Sequence, residues 1–141
     1  MSVNTEDIIN DFTAAYPSNA FMVLKFKIPG GCSWHCGFPL LRVQLQDDDY
    51  LDIYKLSSSS GPVLSDNDVK AKAFPFVYDT KSETSSEKRR DSLCDSLKTV
   101  FPQHNVNIFI FGSTWQANWK NCKGATRFMK EYGTDVLVVL S

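Results

Sequence analysis

Two cysteines and a histidine lie close together near the end of the first quarter of the chain. Cys32, His35 and Cys36 are ligands of the kind that zinc accepts. A structural zinc site usually has four such ligands in two closely spaced pairs, and here a fourth ligand would have to come from far downstream. A cofactor-free loop with free thiols is therefore expected, with a zinc site and a Cys/His nucleophilic pair as alternatives.

The same loop carries aromatic side chains. Trp34, His35 and Phe38 follow two adjacent glycines. An aromatic loop tip held by a rigid sheet is a frequent means of protein recognition, because aromatic anchors bury a large area. The alternative is that Trp34 folds back onto the core. The sequence therefore predicts a protein-binding loop at these residues, with core packing as the second interpretation.

Four basic residues recur in the last third of the chain at steps of three, four and three. They are Lys120, Lys123, Arg127 and Lys130. In a helix this spacing places all four on one face. A solvated helix face is the common explanation of such a stripe. Binding of an anionic partner, a nucleic acid or a small phosphorylated ligand is the alternative.

A short polar turn of Gly112, Ser113 and Thr114 precedes this stripe. Ser113 has the spacing of a capping box with Gln116, which predicts the start of a helix. Free backbone donors at a helix start, together with the helix dipole, can hold a phosphate or a carboxylate. The turn lacks the further glycines and the lysine of a Walker loop. The turn is therefore predicted to form an anion-binding crevice, and its residues do not indicate a nucleotide as the ligand.

The elements that hold these residues follow from hydrophobic patterning. Residues 106–111 and 136–140 are apolar runs of the kind that form strands covered on both faces. Between them, an apolar stripe at helical spacing runs from Trp115 through Trp119 to Tyr132. A helix of this length can make the crossover that parallel strands require, so the pattern predicts a right-handed βαβ unit.

The first half of the chain has the pattern of an antiparallel meander. Apolar and polar residues alternate along the predicted strands, which is typical of sheets with one wet face. An acidic link between the last two strands favours a hairpin. The predicted elements are a helix at residues 5–15 and strands at residues 21–28, 41–46 and 50–56.

The middle of the chain is less regular. Serine dominates the start of residues 57–68, which predicts a flexible loop. Residues 69–78 are predicted to form an edge strand or a bulged strand, because Pro75 cannot donate to a sheet. A capping box that ends at Glu87 predicts a helix over residues 84–101.

Length and composition indicate one domain that covers residues 1–141. The chain is 43% hydrophobic and 22% charged, which is typical of a globular protein. The predicted fold class is α+β. It consists of a single-domain mixed sheet with an antiparallel N-terminal meander, a C-terminal βαβ unit and about three helices packed on the sheet.

Charge and hydropathy predict the compartment. No apolar run approaches the roughly 18 residues that span a bilayer, and the N-terminus is acidic, so neither a membrane span nor a secretion signal is expected. We therefore expect a cytoplasmic protein whose cysteines are reduced thiols. Residues 1–68 hold four Lys/Arg and nine Asp/Glu, whereas residues 69–141 hold eleven and seven. The halves either attract each other or recruit a charged partner.

These patterns favour a small cytosolic binding or regulatory protein that acts through protein contacts, including self-association. The reason is that 13% of the residues are aromatic while no catalytic constellation is complete, so enzymatic activity is not favoured. One alternative is an enzyme or binding domain for an anionic ligand or nucleic acid, with its crevice at 112–114 and the basic helix face beside it. The other is a zinc protein that uses Cys32, His35 and Cys36.

Overall fold

The computed structural model describes residues 4–27, 39–46 and 48–141 and the backbone of residues 32–34. The α-helices are α1 (Thr5–Ala15), α2 (Asp66–Asp79) and α3 (Ser86–Val100), and a short 3-10 helix covers Lys130–Tyr132. The strands are β1 (Ala20–Lys27), β2 (Cys32–Trp34), β3 (Leu41–Gln44), β4 (Asp49–Leu56), β5 (Val106–Phe111), β6 (Trp115–Lys120), β7 (Gly124–Phe128) and β8 (Asp135–Leu140). No helix within these ranges is long and apolar enough to cross a bilayer.

The strands form two antiparallel sheets that pack face to face. The first sheet has the order β3-β4-β1-β6, and the second sheet has the order β2-β5-β8-β7. Helix α1 covers the outer face of the first sheet, and helices α2 and α3 cover the outer face of the second. The molecule therefore has four layers, in the order helix, sheet, sheet and helices.

Apolar side chains from both sheets fill the space between them. On β1, Met22 and Leu24 point toward the second sheet, whereas Phe21 and Val23 point toward α1. This alternation follows from the two-residue period of a strand. Phe109 on β5 supplies part of the facing wall, and its ring makes an edge-on contact with that of Tyr54. The inner core therefore holds the two sheets together.

Strands β5 and β8 are covered on both faces. Ile108 and Val138 pack against α2 and α3, whereas Phe109 and Val139 face the first sheet. The two apolar runs therefore form buried strands, as predicted. The two strands are antiparallel neighbours, however, with Ile108 opposite Val138. The prediction of a parallel βαβ unit within a mixed sheet is wrong, whereas the α+β class is confirmed.

The helix predicted between these two strands is also wrong. The segment forms β6 and β7, which belong to different sheets. Trp115, Ala117 and Trp119 share the inner face of β6. The four-residue step from Trp115 to Trp119 fits the period of a strand as well as that of a helix. Asn121 and Gly124 then have φ values of 62° and 157°, which an α-helix does not allow. The chain therefore turns a corner where a helix would have continued.

The edge strand predicted at residues 69–78 is a helix, α2. Val69, Ala73 and Val77 recur at steps of four and are buried against the second sheet. Ser65 caps the helix by accepting from the backbone N–H of Asp68. Pro75 lies on the exposed side, where water can bond the backbone carbonyl that it leaves unpaired. Pro75 therefore argues against a central strand, but it is compatible with a helix at this position.

The other predicted elements are confirmed with small shifts in their ends. Helix α1 begins after Asn4, whose side chain accepts from two backbone N–H groups. Strands β3 and β4 pair as an antiparallel hairpin. Helix α3 is capped by Ser85, one residue later than predicted. Residues 57–65 form no regular element, whereas residues 66–68 belong to α2.

Candidate functional site

A cavity of about 220 Å³ lies where the β5–β6 turn meets the segment between β7 and β8. We call it the Trp115 cavity. One wall comes from the turn and the start of β6 in the first sheet, and the other comes from β7, β8 and the chain between them. Its lining residues are Ser113, Thr114, Trp115, Arg127, Met129, Lys130 and Asp135.

Trp115 joins the two sheets at this cavity. Its indole ring stacks on the ring of Phe111 in β5, with 4.2 Å between centroids and 8° between planes. Its Nε1–H donates to Oδ2 of Asp135 in β8 over 2.7 Å. Trp115 begins β6, so both contacts cross from the first sheet to the second. The indole is therefore fixed in position by one stacking contact and one charge-assisted hydrogen bond.

Arg127 is fixed by the aromatic residues of β6. Its guanidinium carbon lies 5.2 Å from the ring centroid of Trp115 and 5.1 Å from that of Trp119. Its Nη2 donates to the carbonyl oxygen of Ala117 over 3.1 Å, at the edge of the first sheet. The side chain is otherwise exposed, and neither Arg127 nor Lys130 forms an ion pair with a carboxylate in the part of the chain that the structure describes. The guanidinium is oriented while several of its donors stay available.

Asp135 is the buried polar group of the cavity. The residue is only 5% exposed, and its Oδ1 has no hydrogen-bond partner among the described residues. Arg127 pairs with Leu137 across β7 and β8, so Asp135 is its diagonal neighbour on the same face. The two charges nevertheless form no ion pair, and each contacts a different part of Trp115. The ring face of Trp115 holds Arg127, and its N–H holds Asp135.

The structure brings together only some of the residues predicted to bind an anion. Ser113, Thr114, Arg127 and Lys130 line the Trp115 cavity, and Gly112 lies in the adjoining turn. The remaining two predicted residues, Lys120 and Lys123, lie at the opposite end of β6 and in the corner that follows it.

The structural basis of that prediction is wrong in two respects. The basic residues do not form one helical face, because they are distributed over β6, the corner, β7 and the 3-10 helix. No helix begins at Ser113, so the turn supplies no helix dipole to an anion. The positive charge at the cavity comes from Arg127 and Lys130 alone among the seven predicted residues.

Sequence reasoning missed Asp135 and the bridging role of Trp115. Trp115 was assigned to a helix stripe, and Asp135 is a single carboxylate just before an apolar run. Their contact joins residues of different sheets, which local patterning does not reveal. The alternation of Trp115, Ala117 and Trp119 with polar residues was the available signal, because it indicates a strand with one covered face.

The predicted zinc ligands and aromatic loop lie largely outside the described residues. His35, Cys36 and Phe38 are not among them, and Cys32 and Trp34 are described only as backbone of β2. In the described part of the chain, no group of three or more His, Cys, Asp or Glu residues could hold a metal ion. Both the zinc site and the protein-binding loop therefore stay predictions.

The two described cysteines have properties of structural thiols. Cys94 is buried against the second sheet, and Cys122 is half-buried beside the inner core. Burial raises the pKa of both thiols, and that of Cys122 reaches about 12. A thiol with a raised pKa is a poor nucleophile near neutral pH. These two residues are therefore not candidates for covalent catalysis.

A larger cavity of about 470 Å³ lies at the other end of β5. Lys55, Lys98 and His104 contribute to it, and no carboxylate side chain lines it. His104 is engaged through its Nε2 with the carbonyl oxygen of Pro62 at 2.8 Å, and both lysines are exposed. This cavity lacks a buried polar group without a partner, so its lining gives less indication of a ligand than that of the Trp115 cavity.

No protein-family model, curated protein or solved structure matches the chain. The chemistry of the Trp115 cavity is therefore the basis for assigning a function. Its lining contains oriented cations, hydroxyl groups and one carboxylate, but neither histidine nor cysteine. Such a set can bind a charged ligand by hydrogen bonds and ion pairs.

Proposed function

We propose that the protein binds a small anionic ligand in the Trp115 cavity. The observation that carries this proposal is the presence of two cationic side chains, Arg127 and Lys130, without a carboxylate partner in the described chain. The hydroxyl group of Thr114 lies on the same lining and can donate to an anion. The hydroxyl group of Ser113 can do so by leaving the carbonyl oxygen of Lys27, to which it donates over 3.5 Å. The charge and the donors therefore converge on one cavity.

Preorganisation of Arg127 supports the same proposal. The two indole rings and the Ala117 carbonyl already restrict its guanidinium, so ligand binding costs less side-chain entropy than binding by a mobile arginine. The planar fork of arginine also suits carboxylate and phosphate groups, because it can donate two parallel hydrogen bonds. Arg127 is thus the principal anion-binding residue in this proposal.

The size and position of the cavity favour a small molecule over a nucleic acid. Its volume of about 220 Å³ is below the range typical of pockets for drug-sized ligands. Lys120 and Lys123 lie away from it, so the basic residues do not form the continuous stripe that a nucleic acid backbone would follow. A ligand of few heavy atoms therefore fits the site better than a polymer.

The test uses inorganic phosphate and propionate as anionic probes. The indole N–H signal of Trp115, assigned by comparison with Trp115→Phe, is followed by NMR during titration. We expect a saturable shift for at least one probe, weakened by added salt and lost in Arg127→Glu. Lys120→Glu is the matched control, because it reverses a charge on β6 away from the cavity and should keep binding. No saturable shift with either probe, or equal loss in both variants, contradicts the proposal.

We propose protein contact, in the form of self-association, as a second function, because β3 presents an apolar edge. Leu40, Leu41 and Val43 are 60%, 48% and 37% exposed, and β3 ends the first sheet. Exposed apolar edge strands can pair with a strand of another molecule. Arg42 already binds Asp52 of its own chain through two hydrogen bonds, so pairing would not bury an unpaired charge there.

A second copy of this chain is the partner proposed for β3. Antiparallel pairing of two β3 strands would join two first sheets into one continuous sheet and cover the exposed leucines. Sedimentation of the protein at rising concentration should show a dimer, and Leu41→Lys should shift it to the monomer. Val63→Lys is the control, because Val63 is 74% exposed and lies outside the sheets. A wild-type monomer throughout the series contradicts self-association. Both proposed functions are assigned to a cytoplasmic protein, the compartment expected from its sequence.

A further inference from the structure

We infer that the ligand of the Trp115 cavity is a small zwitterion, with a protonated amine that binds Asp135 and an acidic group that binds Arg127. This inference rests on the proposed function, because it requires the cavity to bind an anionic group. It adds a second recognition element and thereby names the chemical class of the ligand. The observation behind it is the unpartnered Oδ1 of Asp135.

An unpartnered carboxylate oxygen in a buried position is unusual. Buried polar atoms are nearly always hydrogen-bonded, since removal from water without a partner destabilises the fold. Asp135 is 5% exposed, and among the described residues only its Oδ2 has a partner, the indole N–H of Trp115. A donor supplied from outside the chain would complete its hydrogen bonding. A protonated amine is the strongest such donor, because it also neutralises the charge.

The neighbouring side chains of the cavity do not supply this donor. The guanidinium of Arg127 is held by two indoles and the Ala117 carbonyl, and it forms no ion pair with Asp135. Lys130 also lines the cavity but makes no ion pair with Asp135. The cavity thus holds two positive groups and one negative group that stay apart. A ligand with charges of both signs can pair with the positive groups and with the negative group at the same time.

The separation of these groups limits the size of the ligand. Asp135 and Arg127 are diagonal neighbours across β7 and β8, so their Cα atoms are about 7–8 Å apart. Both side chains contact Trp115, which keeps their charged ends on the same lining. This spacing suits a molecule whose amine and acidic group are carried on the same or adjacent carbon atoms.

Access to Oδ1 requires a side chain to move. The atom has less than 1 Å² of exposed surface, so a ligand amine cannot reach it without displacing a neighbour. Met129 lines the cavity, is more than half exposed and directly follows β7. Its unbranched side chain has three rotatable bonds and adapts readily to a new neighbour. Met129 is therefore the residue whose methyl signal should shift when the amine binds.

The test compares three probes that share one carbon skeleton. Alanine carries both charges, propionate carries only the acid and alaninamide carries only the amine. The Trp115 indole N–H signal and the Met129 methyl signal report binding. We expect alanine to bind wild-type protein about tenfold more tightly than propionate, the effect of one charge-assisted hydrogen bond. Alaninamide should bind more weakly than alanine, because it lacks the group that Arg127 binds.

Asp135→Asn is the variant that isolates the amine site. Asparagine keeps a carbonyl oxygen to accept from the Trp115 indole but removes the negative charge. Its affinity for alanine should fall about tenfold. Its affinity for propionate should not fall, because propionate has no amine to lose a partner and the variant removes a negative charge near the anion. The wild-type comparison of alanine with propionate needs no variant, so the test holds even if this variant folds poorly.

The outcomes separate the inference from the proposed function. If propionate or phosphate binds through Arg127 but alanine gains nothing over propionate, water or Lys130 completes Asp135 and the zwitterion inference is overturned while anion binding stands. If alanine, propionate and phosphate all fail to bind, the proposed function fails as well. Equal loss of alanine and propionate binding in Asp135→Asn also overturns the inference, since it assigns Asp135 a structural role only.

Discussion

Arg89 and Arg127 are both held by uncharged partners, but they occupy opposite kinds of environment. Arg89 is 1% exposed, whereas Arg127 is an exposed residue. All three guanidinium nitrogens of Arg89 donate hydrogen bonds within the chain, and Arg127 makes one such bond. The acceptors of Arg89 are the hydroxyls of Thr80 and Thr134 and the carbonyls of Val77, Tyr132 and Thr134, at 2.8–3.3 Å.

The position of Arg89 explains why it can be buried without a carboxylate partner. One acceptor is the backbone carbonyl of Val77 in the last turn of α2, where the helix dipole favours positive charge. Burial lowers the pKa of Arg89, but arginine keeps its proton in proteins. Gly133 packs beside it, and a Cβ there would lie 3.0 Å from its Nη1. The guanidinium of Arg89 thus supplies the hydrogen-bond donors for the carbonyl groups that surround it.

The difference between the two arginines separates structural from binding networks. Every donor group of Arg89 is used, so a ligand has nothing left to bind there. At the Trp115 cavity, Arg127 has donors without a partner in the described chain, and the buried Oδ1 of Asp135 has no donor there. Incomplete hydrogen bonding next to a cavity is therefore the feature that distinguishes the candidate site from an equally polar structural cluster.

Substitution of Arg89 should have the largest effect on stability. Arg89→Ala leaves several buried carbonyls without donors and opens a cavity, so the free energy of unfolding should fall by about 3 kcal/mol or more. Arg89→Lys should also be clearly destabilising, because an ammonium group cannot reproduce the planar fork. Urea denaturation measures both effects. A loss below about 1 kcal/mol in either variant would falsify the view that this network is structural.

Removal of the indole N–H should have an intermediate effect. Trp115→Phe keeps an aromatic ring against Phe111 but leaves the carboxylate of Asp135 without its donor. The free energy of unfolding should fall by about 2 kcal/mol, the contribution of a hydrogen bond to a buried charged group. Trp119→Phe is the matched control, because the indole of Trp119 does not bond to Asp135. Equal losses in the two variants would show that ring volume, and not the bond to Asp135, is responsible.

Substitution of Arg127 should have the smallest effect on stability. Its contacts with the indoles are exposed to solvent, so Arg127→Ala should reduce the free energy of unfolding by only about 1 kcal/mol. Arg127→Lys should be close to wild type in the same denaturation series. If Arg127→Ala instead destabilises the protein as much as Arg89→Ala, the two arginines do not differ in role and the comparison breaks down.

The extent to which sequence predicts this fold depends on what each pattern encodes. The apolar runs 106–111 and 136–140 correctly indicate strands buried on both faces, because their composition reflects burial. It does not encode strand direction, which depends on how the intervening chain folds. The intervening chain has tryptophans four residues apart, a spacing that fits both a helix and a strand. Its length favours a helix. The positive φ values of Asn121 and Gly124, which make it turn a corner, are a property of the structure.

The candidate site was predictable only in part. The polar turn and the basic residues near it were visible as types of residue able to bind an anion. Their convergence was not visible, because it depends on β6 and β7 lying in different sheets. Asp135 carries no local signal of function, since a carboxylate before an apolar strand is ordinary. Its significance comes from one missing hydrogen bond, which is a property of the packed structure.

The pairing of β1 with β6 determines when the first sheet can be completed. Phe21 lies opposite Lys120, and the hydroxyl of Thr5 in α1 donates to the side chain of Asn118. These contacts join residues about a hundred positions apart, and such long loop closures slow folding. During synthesis, one edge of β1 has to wait until the chain as far as Lys120 has left the ribosome. The N-terminal strand is therefore made early and paired late.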